Sequence, residues 1–184
     1  MSGVNTLNKT SEIQVQRDGN FVSRKDKAAL FTSKSDEWST PNDLFMGLNA
    51  NFKFTLDVAA TKENAKHERY LTIEDNALDK SWKGERTYCN PPYSKIKDWV
   101  RKNYEESQLD PKNPKVMLIP GRCDTQYWHD YIMRAANIYM IKGRLKFSNS
   151  KNSAPFPSVV VVFHGLQEGK RRIQGANRTF TEFW

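Results

Sequence analysis

"VMLIP", Val116 to Pro120, decides how this chain folds. Five apolar residues in a row, with no alternation, mark a strand buried on both faces. Such a strand belongs at the centre of a sheet with layers above and below it. "SVVVVFHG", Ser158 to Gly165, has the same character and is rich in β-branched residues, so it reads as the last strand. "IYMIKG" reads as a strand ending at Gly143. Between "VMLIP" and that strand, Asp124 is placed to cap a helix through about Ala136, with Trp128, Tyr131, Ile132 and Ala135 on one face. On the other side of "VMLIP", Ser94 is placed to cap a helix whose Ile96, Trp99, Val100 and Tyr104 form one stripe.

Further upstream the pattern continues. Thr87 to Cys89 is a short extended piece. Thr40 is placed as an N-cap, Pro41 suits the first helical position, and Leu44, Phe45 and Leu48 follow at helical spacing. "FKFTLDVAA", Phe52 to Ala60, alternates and predicts a strand. Thr61 to Arg69 is helix-compatible, and "YLTI", Tyr70 to Ile73, is a short strand candidate running into the loop Glu74-Asp75-Asn76. Strands alternating with helices predict an α/β fold with a mainly parallel sheet and helices on both faces. In such sheets ligands bind at the carboxyl ends of the strands.

The chain has 184 residues, enough for one domain with a sizeable core. Residues 1–35 are polar and read as a flexible arm, 36–165 as the main folded domain, and 166–184 as a basic tail. The balance of 29 Lys+Arg against 21 Asp+Glu gives a net charge of +8, which suits a polyanion such as nucleic acid. The two cysteines and three histidines have no metal-ligand spacing, so no metal site is expected. No run reaches the roughly 18 apolar residues of a membrane span. A reduced, cytoplasmic setting is expected.

"TYCNPPYSK", Thr87 to Lys95, carries the chemistry. If Thr87 to Cys89 is a strand, Asn90 stands at its carboxyl end. The Asn90 side-chain carbonyl and the carbonyl of Pro91, stiffened by Pro92, offer two acceptors. Two acceptors converging on one point suit an NH₂ group. They draw an exocyclic amine toward tetrahedral geometry and free its lone pair. Tyr93 adds a flat face for a base, a stack worth about 1–3 kcal/mol.

Asn90-Pro91-Pro92-Tyr93 resembles the catalytic tetrapeptide of amino-methyltransferases that use S-adenosylmethionine. With "DEWSTPNDLF", "FTLDVAAT", "IKGRLKF" and "APFPSVVVVF", the chain resembles the phage-type DNA N-6-adenine methyltransferases from roughly Asp36 to Phe163. The resemblance implies a Rossmann-like methyltransferase acting on a flipped adenine in double-stranded DNA. It also implies a phage or prophage origin, work in the bacterial cytoplasm, and a part in shielding phage DNA from restriction. It places Asn90, Pro91, Pro92 and Tyr93 at the target base. Thr40, Pro41, Asp57, Ala59 and Asp75 fall on its cofactor-binding segments.

The chain departs from the family pattern in three ways. Asp57 is followed by Val58, Ala59 and Ala60 with no glycine, so a pyrophosphate-type loop is excluded. Many adenine enzymes of the group carry Asp where this chain has Asn90, which keeps the acceptor and weakens the choice between adenine and cytosine. The short interval from Asp57 to Asn90 implies a sheet trimmed in its first half. Arg122, Arg144, Lys146 and Lys151, near strand ends or in the loop Ser148 to Pro157, are the candidate DNA contacts. Two other classes stay open at this point. One is a methyltransferase of cytosine amine, RNA or protein; the other is a non-catalytic DNA-binding protein on a degenerate scaffold.

Overall fold

The computed structural model describes residues 38–165 and 172–184. The expected N-terminal arm and the start of the C-terminal tail lie outside them. The chain builds helix α1 (Asn42–Phe52), strands β1 (Leu56–Asp57) and β2 (Thr87–Cys89), helix α2 (Ile96–Leu109) and strand β3 (Lys115–Pro120). A helical segment then runs through Trp128–Ile132 and Met133–Ala135, followed by β4 (Ala136–Ile141), β5 (Ser158–Phe163) and β6 (Ile173–Ala176). Among the described residues, six strands form one sheet in the order β1-β2-β3-β5-β4-β6.

The continuous apolar runs behave as their composition demands. Every residue of β3 and of β5 is buried. Val116 and Leu118 of β3, with Val160 and Val162 of β5, face α1 through Leu44, Phe45 and Leu48. Met117 and Ile119, with Val159, Val161 and Phe163, face α2 through Ile96, Trp99 and Val100. Helices thus cover both faces, and the apolar strands lie between two cores.

The sheet is mixed, which corrects the expectation of a mainly parallel one. β1, β2 and β3 pair in parallel, and so do β4 and β6. β5 runs antiparallel to both of its neighbours. A run of valines carries no direction, and only the connections fix one. β4 enters directly from the helical segment, whereas β5 returns after the loop beyond Phe147.

The region before β2 differs from its sequence reading. The helix begins at Asn42 with Pro41 as its N-cap, and no side chain caps it. It continues to Phe52, because Leu44, Leu48 and Phe52 recur at a spacing of four. Lys53 stops it in a left-handed conformation (φ 51°), with its N–H on the Asn49 carbonyl. Only Leu56–Asp57 remains as strand. Residues 61–69 form turns rather than a helix, and Tyr70 makes a single bridge to Asp57. Ile73–Asp75 is a 3₁₀ turn. The helix before β4 is not plain α either, since Trp128–Ile132 is π-helical.

The described part of the C-terminal segment, expected as a basic tail, supplies β6 and buries Phe180 in the α1-side core. Among the described residues no helix is long and apolar enough to cross a membrane. α1 and the C-terminal segment meet backbone to backbone. A methyl group on Gly47 would stand 1.8 Å from the Thr179 carbonyl oxygen. The Asn51 amide ties the same contact by donating to the Gly47 carbonyl at 2.8 Å and to the Phe180 carbonyl at 3.4 Å. Gly47→Ala is therefore expected to destabilise the fold by about 1–3 kcal/mol, the usual penalty of overpacking. Urea denaturation of the variant checks this, and an unchanged midpoint would show that the contact is slack.

Candidate active site

The carboxyl ends of β1, β2, β3 and β4 lie along one end of the sheet, and the residues that follow them gather there. Asn90 follows β2. Its side-chain NH₂ donates to the Trp38 carbonyl and, at 3.0 Å, to Thr40 Oγ1. The Trp38 carbonyl can only accept, so the amide cannot be turned over without setting two oxygens against each other. Oδ1 is therefore left facing the opposite way, toward the Tyr93 hydroxyl at 3.4 Å.

Thr40 is itself buried, and its hydroxyl shares a 2.6 Å hydrogen bond with the Tyr88 hydroxyl. Segment 38–40 is held against the loop after β4. Ser148 N–H donates to the Ser39 carbonyl at 2.8 Å, Ser148 Oγ to the Thr40 carbonyl at 3.2 Å, and Ser39 N–H to Asn149 Oδ1 at 3.0 Å. The Trp38 ring lies 5.0 Å from Phe147 and 5.4 Å from Phe156. Phe156 meets Tyr93 edge-on at 5.5 Å. An aromatic wall thus lines the side of Asn90. Pro91 is buried, and Pro92 accepts the Lys95 N–H at 3.2 Å, which opens the turn into α2. Burial pushes the Tyr93 phenol well up, against the pull of the Arg122 charge, so it stays neutral.

Asp57 ends β1 and is buried. Its carboxylate accepts the backbone N–H of Lys66 at 3.0 Å and of Ala59 at 3.3 Å. Val58 N–H goes to the Tyr88 carbonyl, and Ala60 N–H to the Leu71 carbonyl. The backbone donors of this glycine-free loop are thus engaged inside the protein. Burial raises the Asp57 carboxyl to about 6, and the two amide bonds offset only part of that. The Lys66 ammonium reaches Asn42 Oδ1 at 2.6 Å, which ties the loop to the start of α1 beside Pro41.

Asp75 is linked to Asp57 through the chain between them. Leu71 N–H donates to the Asp57 carbonyl, and the next residue, Thr72, donates its N–H to Asp75 Oδ2 at 2.9 Å. That bond, together with Lys80 at 2.9 Å and the Thr72 hydroxyl, holds the Asp75 carboxyl at about 2. Asp75 is thus ionised at any ordinary pH.

Thr40, Pro41, Asp57, Ala59 and Asp75 therefore come together with Asn90 to Tyr93 along one end of the sheet. Arg122 follows β3, and Arg144, Lys146 and Lys151 follow β4; all four side chains are exposed at that same end. Trp38, Tyr88, Phe147 and Phe156 were not singled out from the sequence. Tyr88 left one trace: a tyrosine on a buried strand position needs a partner for its hydroxyl.

A family model described as DNA N-6-adenine-methyltransferase (Dam) matches residues 27–181. The chain belongs to this family. A DNA N-6-adenine-methyltransferase of Escherichia phage T1 is 34% identical over 157 residues, which cover 73% of this chain and 65% of that protein. One of Haemophilus phage HP1 is 34% identical over 143 residues, covering 72% of this chain and 82% of its own length. A putative methyltransferase of Escherichia coli K12, YfdM, is 42% identical over 66 residues, covering 32% of this chain and 71% of that protein. The Dam family match reaches past β5 and includes β6, so the C-terminal strand lies within the family's span.

The Asp57 carboxyl sets a pH dependence for this Dam-family fold. Its folded value of about 6 lies above the ordinary 3.8. Below pH ~4 the group is protonated in both states and stability is full. Between pH ~4 and ~6 the unfolded chain releases its proton first, so stability falls by about 2–3 kcal/mol as pH rises. Asp57→Asn is expected to flatten this slope. Denaturant unfolding at several pH values reads it, and equal slopes in both proteins would show that Asp57 does not titrate there.

Proposed function

We propose that this chain is a DNA adenine methyltransferase on a Rossmann-like scaffold. In this reading it moves a methyl group from S-adenosylmethionine to the exocyclic amine of an adenine flipped out of double-stranded DNA. Family membership supports the activity. The observation that carries the mechanism is the polarity of the Asn90 amide, whose donors are tied to Trp38 and Thr40 and whose acceptor faces the other way, toward the Tyr93 hydroxyl.

The residues at the ends of β1 and β2 suit such a cofactor. Asp75, held ionised, is an acceptor for hydroxyl groups. Asp57 is a buried carboxyl with two amide donors on it, and a cation beside it would counter the burial that raises it. We assign Thr40, Pro41, Asp57, Ala59 and Asp75 to holding it. When bound, the cofactor supplies an electrophilic methyl on a sulfonium centre.

The work of the chain's own residues is binding and polarisation. Asn90 Oδ1 accepts one hydrogen of the target amine and the Pro91 carbonyl the other. Pro92 stiffens the turn that aims both. Tyr93 stacks on the base, and Phe156 braces Tyr93 from its edge. Extruding the base costs a few kcal/mol, which contacts to the DNA must offset. Arg122, Arg144, Lys146 and Lys151 supply those contacts to phosphate, on the same end of the sheet as Asn90.

Two expectations follow. With labelled cofactor and duplex DNA, Asn90→Ala should lower transfer by about 100-fold or more. Asn90→Asp keeps an acceptor but has no donor for the Trp38 carbonyl, so its rate should lie between the two. Full turnover in Asn90→Ala would refute the assignment. Separately, Lys146→Ala and Lys151→Ala should each weaken binding to all sequences alike and reduce the salt slope by about 1. Filter binding across salt concentrations measures this, and an unchanged slope removes that lysine from the interface.

A further inference from the structure

The hydrogen-bond chain behind Asn90 has a third member that the reaction itself does not require. Tyr88 lies in β2, buried, two residues before Asn90, with its ring packed against Phe45 at 5.1 Å and Phe54 at 5.3 Å. These rings fix where its hydroxyl stands, and the hydroxyl meets Thr40 Oγ1 at 2.6 Å. The other contact on Thr40 Oγ1 is the Asn90 NH₂ at 3.0 Å, which can only donate. Toward Asn90, then, the threonine oxygen must present a lone pair. Its single proton must point elsewhere, and Tyr88 lies where it can take that proton.

We infer that Tyr88 is a positioning residue for the methyl-transfer step, acting through Thr40 on the Asn90 amide. The inference rests on the function proposed above. Either hydroxyl of the 2.6 Å pair can donate; with Thr40 as the donor its oxygen becomes a better acceptor, and the order Asn90 NH₂ to Thr40 to Tyr88 is self-reinforcing. Drawing on the amide hydrogens increases the negative charge on Oδ1, and Oδ1 is the atom offered to the target amine. Without the Tyr88 oxygen the Thr40 proton has no acceptor there. It can then swing toward Asn90 and compete with the NH₂ group, loosening the side chain's orientation. Burial keeps the Tyr88 phenol neutral, so this polarity does not change over the working pH range.

Tyr88→Phe tests the inference, because it removes one oxygen and keeps the ring that packs on Phe45 and Phe54. In the protein without DNA or cofactor, the side-chain NH₂ resonance of Asn90 should shift. In turnover, kcat should fall about five- to tenfold, the size of one ordinary hydrogen bond, with KM for DNA unchanged. Thr40→Val breaks the chain at its middle. Adding Tyr88→Phe to it should lower kcat no further, since Tyr88 acts only through Thr40. An unmoved Asn90 resonance, an unchanged kcat, a rise in KM alone, or independent effects of the two substitutions would each overturn the inference. Failure of the underlying function is separate, because it appears as an absence of methylated adenine with the wild-type protein.

Discussion

An asparagine amide has a donor end and an acceptor end, and the order of the two at Asn90 depends on what stands behind it. Trp38 offers a carbonyl and Thr40 a hydroxyl, so the NH₂ end must face inward. Much of the surrounding structure serves that constraint. Segment 38–40 has to lie alongside the strand end, and Ser148 and Asn149 hold it there from the far side. α1 follows immediately, and its packing on the sheet through Leu44 and Leu48 fixes where Thr40 can be. A carboxylate at this position would meet the Trp38 carbonyl with a second oxygen. The chain's asparagine is thus matched to its own scaffold, whatever relatives carry.

The two ends of the sheet are built differently. At the amino end of β3, Lys115 is fully buried and donates to the Glu85 carbonyl at 2.7 Å, with Asp110 at 3.4 Å. Gly84 N–H reaches the same Asp110 carboxylate, and Trp82 N–H reaches the buried Glu106. Charges there are paired with one another and with backbone, which closes that end. At the carboxyl end, exposed cations stand on the loops after β3 and β4, together with two carboxylates near β1. The reversal of β5 contributes to this. Running against β3, it begins at Ser158 beside Pro120, so the loop carrying Phe156 is delivered to the same end as Asn90.

The strongest elements were legible because their composition leaves little choice. "VMLIP" and "SVVVVF" can only be buried on both faces, and the Ile96-Trp99-Val100 stripe can only be a helix face. The misread strand at Phe52 had two competing patterns in it: an alternation through Phe54 and Leu56, and a four-residue repeat through Leu44, Leu48 and Phe52. The helix wins as far as Phe52, and it ends at a left-handed lysine where neither glycine nor asparagine announces a stop. β6 was missed because it is a half-exposed edge strand with no apolar run. At the site, Asn90 to Tyr93 stood out by residue type alone. Its supports did not, because Trp38 and Thr40 reach Asn90 across some fifty residues of chain, and nothing local marks such a contact.

The loop after β1 shows why a missing glycine can be informative. Glycine-rich loops place bare N–H groups in a concave row, which suits a phosphate. Here the N–H groups of Val58, Ala59 and Ala60 are bonded to Tyr88, Asp57 and Leu71, so no such row exists. The loop's polar character comes instead from side chains, and those are carboxylates: Asp57, raised to about 6 by burial, and Asp75, held at about 2. Engaged amides and two carboxylates make a poor seat for an anion and a good one for a ligand carrying hydroxyls and positive charge. The same substitution of side chain for backbone explains the buried Asp57. Its carboxylate bridges Ala59 and Lys66 and thereby shapes a turn that has no helix to hold it. The conformational cost of closing this loop without glycine and the electrostatic cost of burying a carboxylate are then met by one arrangement. A cation bound beside Asp57 would relieve the second.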